Sequence, residues 1–395
     1  MKIVLHLQNI HRNSSKYYAA LAAYIAVIFF ANTNHINQQG IFFNEYLPIA
    51  KHLLSGAGYV IHSGVSILYP IWGYTFLTAV GEFVGAPILF LAILQGVLCI
   101  IGISFFYKIF QIEKKYWHIL LFTPFIALTS VRWPDAIVGV LLLLTIYYYT
   151  QSFKLSFGLI LNFRSEYVGL LVVLIITILI LLLRKKFDLA VLTTLTLIPA
   201  CLLIIPWGSF SYSMDSHIRL TATNGGGVLY ISLGQLPNNP WGIVHSDSVA
   251  YAVAKENGID DPYSVRGDSL LSAKFITDIE NYPINFSEKA GFNILTSFVR
   301  GVYIGEYQSV AQTIIKIIFV VIFDILVLLF LLYIKRKRNM SSLLLILIVI
   351  VLYKFLLISL IQYEPRHMNA IYLLILGPAL LFLKDRFEAA EPPSI

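Results

Sequence analysis

Charge is what this sequence has least of. Only 12% of its 395 residues are charged, against about 25% in soluble domains, while 58% are hydrophobic and the mean hydropathy is +0.78. Such a chain cannot clothe a water-facing globule, so an integral membrane protein is expected. Cysteine is scarce too: Cys99 and Cys201 lie in separate apolar runs, which excludes a disulfide framework. There is no internal repeat, and no His/Cys cluster carries the ligand spacing of a metal centre. Thr223-Asn224-Gly225-Gly226-Gly227 lacks a strand-glycine-helix setting, so it reads as a flexible turn and not as a nucleotide fingerprint.

What is abundant is apolar sequence. Runs long enough to span, at about 17–25 residues each, fall near 17–31, 68–83, 86–107, 117–132, 135–150, 156–183, 189–206, 310–333, 342–361 and 369–383. The first follows Lys2, Arg12 and Lys16 with no small-residue cleavage site after it, and reads as an uncleaved anchor. The expected fold is an all-α polytopic membrane protein of about ten crossings. The expected division is a transmembrane module over 1–206, an outer domain of mixed helix and loop over 207–309, and C-terminal spans over 310–395.

Positive clusters orient these spans. Arg184-Lys185-Lys186, Lys335-Arg336-Lys337-Arg338 and Lys384-Asp385-Arg386 fall on one side with the amino terminus, which makes that side cytoplasmic. Residues 207–309 hold 10 of the 21 acids but 6 of the 28 bases, and face the other way. The basic balance therefore reports orientation in the membrane, and no nucleic-acid partner is expected. This count leaves Lys108, Lys114 and Lys115 outside, against the rule, and puts Asp135 on the cytoplasmic side.

The first outer loop, 32–67, carries a lone carboxylate. From Asn44 the spacing of Tyr46, Ile49, Ala50 and Leu53 predicts a short amphipathic helix. Pro48 is tolerated only in the first turn, so Glu45 stands at the helix start, and Ser55-Gly56-Ala57-Gly58 ends it. There Glu45 either caps the helix or serves as a base that the helix dipole keeps ionised. Arg164, inside an apolar run, needs an anionic partner: a lipid phosphate, or Glu166 or another buried acid. Asp324 and Lys354 fall at equal depth in neighbouring spans and are expected to form a structural ion pair. Trp241, in a turn-rich stretch, either stacks on a sugar or anchors at headgroup level. Ser264 to Glu280 reads as an amphipathic helix on the membrane surface.

Several of these segments occur in a familiar order. Glu45-Tyr46, then Gly56-Ala57-Gly58-Tyr59, then Tyr69-Pro70 opening the second span resembles the start of GT-C membrane glycosyltransferases. These include the protein O-mannosyltransferases and the lipid A aminoarabinose transferase. Asn162-Phe163-Arg164-Ser165-Glu166 is similar to that family's Arg-Pro-Glu segment, Glu364-Pro365-Arg366-His367 to its Glu-x-Arg-Tyr segment, and Pro134-Asp135-Ala136 to the acidic start of a mid-chain span.

The resemblance implies sugar transfer from a polyprenyl phosphate to a glycan, lipid or protein acceptor, at the periplasmic face of a bacterial inner membrane. Glu45 is then the base, Arg164, Arg366 and His367 hold the phosphate, and Tyr46, Asp135 and Trp241 contact substrate. A metal bridging Glu45 and Asp135 is compatible with the family, but none is predicted and no cofactor is expected. The rivals are an O-antigen polymerase, which needs its arginines in large outer loops, and a lipid-linked sugar flippase, which needs internal symmetry about the midplane.

Overall fold

A computed structural model describes residue 22 and residues 42–60, 68–69, 72–112, 134–149, 159–161, 163–300, 310–337 and 342–390. The expected spans at 117–132 and, apart from residue 22, at 17–31 lie outside the described residues, as do Lys114 and Lys115. The described chain is helical, with no β-strand. A π-helical turn, Phe42–Tyr46, leads into α1 (Leu47–Leu54). There follow α2 (Trp72–Phe83), α3 (Pro87–Phe110), α4 (Asp135–Tyr149), α5 (Val168–Leu183) and α6 (Phe187–Asp215). A helical cap then comprises α7 (Gly225–Ser232), α8 (Asp247–Glu256), α9 (Val265–Asn281) and α10 (Pro283–Arg300), and α11 (Val310–Arg336), α12 (Ser342–Leu360) and α13 (Pro365–Ala390) complete the chain. The expected boundary at 207 falls inside α6, which runs on to Asp215.

Among the described residues, four helices are long and apolar enough to cross a bilayer: Pro87–Phe110, Thr193–Asp215, Lys316–Arg336 and His367–Arg386. The last is central, with 78% of its apolar stretch buried, and α3, α4, α11 and α12 pack around it. The outer faces of α5, α6 and α11 leave Ile176, Leu183, Leu202, Ile317 and Leu328 exposed. In water that would be a large unpaired apolar surface; against hydrocarbon chains it is the expected exterior.

Direction along the bundle corrects the sequence-based count. α5 starts directly after Glu166 and ends at Arg184, while Lys337, just past α11, pairs with Asp385 of α13 at 3.5 Å. The three basic clusters thus gather at the end remote from Glu166 and His367. A Cβ on Gly102 of α3 would press on Val140 of α4, and Phe105 meets Tyr147 at 4.7 Å, so α3 and α4 run in the same direction. Lys108 accordingly points toward the basic end, in keeping with the positive-inside pattern, and Asp135 sits at the opposite end, beside Arg164. α3 and α4 thus run opposite to the sequence-based count, while α5 keeps its expected direction. α2, with twelve residues, makes about 18 Å of helix, short of an approximately 30 Å hydrocarbon core.

Three further expectations change. The triple glycine is no flexible turn: it opens α7, and a Cβ on Gly226 would lie 2.2 Å from Asp268 O, so only glycine lets α7 seat on α9. α9 does form, capped by Ser264, but its buried face (Gly267, Leu271, Phe275) packs on α7 instead of a membrane surface. Asp324 and Lys354 do not pair; Lys354 bonds Glu166, and Asp324 Oδ1 has no hydrogen-bond partner among the described residues. α11 packs chiefly on α13, so equal depth did not bring the two side chains together.

The cap and the first loop meet over the non-basic end. Ile49, Tyr59 and Leu68 share one core with Trp207 and Ala222, and Thr223 N donates to Leu68 O. Gly56 and Gly58 turn the chain there at φ +79° and +89°, conformations that favour glycine.

Candidate functional site

The loop, the bundle and the cap enclose a cavity of about 720 Å³. Glu45, Tyr46, Arg164 and His367 all line it, joined by Glu166 and Lys354. Each is held by a local reason. Glu45 lies in the π-helical turn just before α1, where wide turns place functional groups in many proteins. Pro48 sits in the first turn of α1 as expected, and Tyr46 stands at the N-cap, its side chain making no capping bond. Tyr46 is buried edge-on against Tyr74 at 4.9 Å, and Tyr74 accepts from Gln95 Nε2 at 2.8 Å. Ile49 and Ala50 are fully buried beneath them, whereas Leu53, expected on the same face, stays exposed.

Arg164 breaks the apolar run 156–183. The helix stops there, a 3₁₀ turn (Ser165–Tyr167) intervenes, and α5 begins at Val168. Arg164 Nη2 donates to both oxygens of Asp135 at 2.5 Å, and Nη1 stands 3.8 Å from Glu166 Oε2. Glu166 in turn accepts from Lys354 Nζ, whose ammonium lies 5.0 Å over the Tyr167 ring. Asp135, Arg164, Glu166 and Lys354 therefore form a chain of alternating charge that satisfies ions buried among apolar helices. Sequence reasoning placed Arg164 but missed Lys354, because its partner lies in a turn that no periodicity links to α12.

Between α12 and α13 the backbone is not helical. Pro365 opens α13 and disfavours helix at Glu364, which frees the stretch 361–364 to line the cavity. Gln362 Nε2 donates to Glu364 Oε1 at 2.5 Å, and His367, 9% exposed, follows one turn later. Arg366 lies in that first turn of α13, with its side chain outside the described residues. Trp241 does not reach the cavity: its Nε1 donates to Asp278 O at 3.1 Å and its ring meets Tyr282 edge-on, so it packs the cap and does not stack on a ligand there.

The cap grips this stretch through polar side chains. Gln235 exchanges two 3.0 Å bonds with the Tyr363 backbone, and Asn293 donates to Ile358 O at 3.1 Å. Lys289, fully buried, donates to Ser232 Oγ, Leu360 O and Ile361 O at 3.0, 2.8 and 2.5 Å. It thereby satisfies carbonyls at the C-terminal end of α12. Burial pushes the Lys289 ammonium down to about 7. The unfolded chain keeps that proton up to about 10.4, so between the two values it binds one more proton than the folded chain. Stability should rise with pH across that window, by at most about 1.4 kcal/mol per unit, and this contribution should be flat below pH 7. Thermal unfolding midpoints of wild type and Lys289→Met, taken from pH 6 to 10, check this. Equal slopes in the two proteins would refute the assignment.

Among the described residues no group of three His, Cys, Asp or Glu side chains could hold a metal ion. Set against known protein families, curated proteins and solved structures, the chain matches none.

Proposed function

We propose that this chain is an integral-membrane glycosyltransferase of the GT-C type, using a polyprenyl-phosphate sugar and working on the face remote from its basic clusters. In a bacterium that face is periplasmic. The observation that carries this reading is the shared cavity: a carboxylate, Glu45, faces the same approximately 720 Å³ space as Arg164, Lys354 and His367. An inverting transfer needs that set. The base accepts the proton of the acceptor hydroxyl, the oxygen bonds to the anomeric carbon, and the bond from that carbon to the phosphate oxygen breaks. The phosphate leaves with the electron pair, and nearby cations offset its charge. Asp135 takes only Nη2 of Arg164, and Nη1 is beyond hydrogen-bond reach of Glu166, so donor capacity remains for a phosphate. The exposed apolar helices suit a prenyl chain arriving from the bilayer.

The reading is tested by binding. In nanodiscs, native mass spectrometry should show the wild type holding undecaprenyl phosphate at least tenfold more tightly than undecaprenol. Arg164→Lys, which keeps the charge but loses the planar fork, should weaken the phosphate form about tenfold, or about 1.4 kcal/mol, and leave undecaprenol alone. Equal wild-type affinity for the two lipids would remove the phosphate site and the reading with it.

A further inference from the structure

The cavity has a second wall that no part of the donor chemistry uses. Tyr69 from the first loop, His245 and Asp247 from the entry to α8, and Tyr263 from the turn before α9 all line it. We propose that this wall is a carbohydrate subsite that seats the acceptor, so the acceptor is a glycan and not a polypeptide or a phospholipid. The inference rests on the glycosyltransferase reading for its purpose, though not for its geometry.

Two aromatic faces come first. The Tyr69 and Tyr263 rings lie 5.8 Å apart at 38°, and Tyr251 braces Tyr263 edge-on at 5.8 Å. Ring faces carry negative charge, and the C–H face of a pyranose presents weakly positive hydrogens to them. Trp241, committed to Asp278 and Tyr282, does not supply such a face.

The polar groups then select for hydroxyls. His245 Nδ1 lies 3.1 Å from Ile231 O, a carbonyl, so Nδ1 must be the donor, and in the neutral imidazole Nε2 is left as an acceptor. Burial first, and then the Asp247 charge, raise the Tyr263 phenol, which stays protonated and bonds that carboxylate. A carboxylate has about four acceptor sites, so Asp247 keeps room for more donors. Gln362, 7% exposed, gives one amide N–H to Glu364, and its Oε1 has no hydrogen-bond partner among the described residues. An imidazole nitrogen, a carboxylate and an amide oxygen all ask for donors. Neighbouring sugar hydroxyls provide them; a phosphate provides none and is repelled by Asp247.

The position relative to the base fits as well. Glu45 contributes to the raised phenol of Tyr251, after burial and Asp261, and to that of Tyr263, after burial, Asp247 and Tyr251. A sugar resting against the Tyr69–Tyr263 pair therefore has a hydroxyl within the field of the group that would take its proton.

The test uses the full chain in nanodiscs and saturation-transfer NMR, with methyl α-mannoside, methyl α-rhamnoside and methyl β-galactoside as probes. Tetramethylammonium and a blocked Ser-Gly dipeptide serve as the cationic and peptide alternatives. At least one glycoside should bind the wild type, and Asp247→Asn and Tyr69→Ala should each weaken it about tenfold while undecaprenyl phosphate binding is kept. The subsite is overturned if no glycoside binds a protein that still holds undecaprenyl phosphate, if only the ammonium or the peptide binds, or if both variants bind glycoside like wild type. Loss of undecaprenyl phosphate binding with glycoside binding intact would count against the glycosyltransferase reading and leave the subsite standing.

Discussion

Glu45→Gln is expected to reduce sugar transfer by about 10²–10⁴-fold, the usual contribution of a positioned general base. That is roughly 3–5 kcal/mol of barrier at 1.36 kcal/mol per tenfold change. The substitution keeps the length and hydrogen-bonding capacity of the side chain and removes its basicity, so it isolates the proton transfer. The surroundings should not move. The π-helical turn is pinned by buried Phe42 and by Tyr46 against Tyr74, and α1 by Ile49 and Ala50, packing that the substitution leaves in place. The expected signature is therefore a lost product with unchanged unfolding midpoint and unchanged undecaprenyl phosphate affinity. Mass spectrometry of envelope glycans from cells carrying wild type or Glu45→Gln at equal expression reads the first part. Identical glycans would take Glu45 out of the base role. Reduced lipid affinity with unchanged turnover of bound donor would make it a binding carboxylate instead.

Glu45, Arg164 and His367 stand 322 positions apart from first to last in the numbering yet face one cavity, and that convergence was legible in part. A charge inside an apolar run is expensive, so Arg164 had to be partnered or functional wherever the chain put it. The partners themselves were not legible. Asp135 was assigned to the wrong end because counting apolar runs fixes a helix's direction only when every crossing before it is right, and the contact that places α4 joins Asp135 to a residue 29 positions away. Lys354 was matched to Asp324 by depth alone. Hydrophobic periodicity says how far along a bundle a residue lies, whereas which helix faces it depends on packing, and α12 presents Lys354 to the turn after Arg164. Trp241 shows the same limit. Its composition suited a sugar, but its indole N–H went to a backbone carbonyl within the cap.

The larger structural effect is expected at the Asp135–Arg164 pair. Asp135 is 3% exposed and Arg164 17% in their side chains, so each charge depends on the other. Removing one partner of a buried pair costs about 3–5 kcal/mol, because the remaining ion is left without compensation. Asp135→Leu should approach that cost, moderated by Glu166 at 3.8 Å from Nη1. Arg164→Met should cost about the same, since it strands Asp135 among the buried apolar residues of α4. Replacing both with Asp135→Leu/Arg164→Met removes both charges, and such exchanges are often neutral or stabilising. Thermal unfolding of the four proteins in one detergent gives the coupling by a double-mutant cycle. A double variant no more stable than either single would show that the pair is not what holds α4 to the 3₁₀ turn. Stability alone does not separate a structural bridge from a phosphate site. If Arg164 served only the bridge, the double variant would regain both its fold and its undecaprenyl phosphate binding. The site requires the fold to return and the binding to stay lost, because Leu and Met can fill the space of the pair but neither can offer a guanidinium to a leaving phosphate.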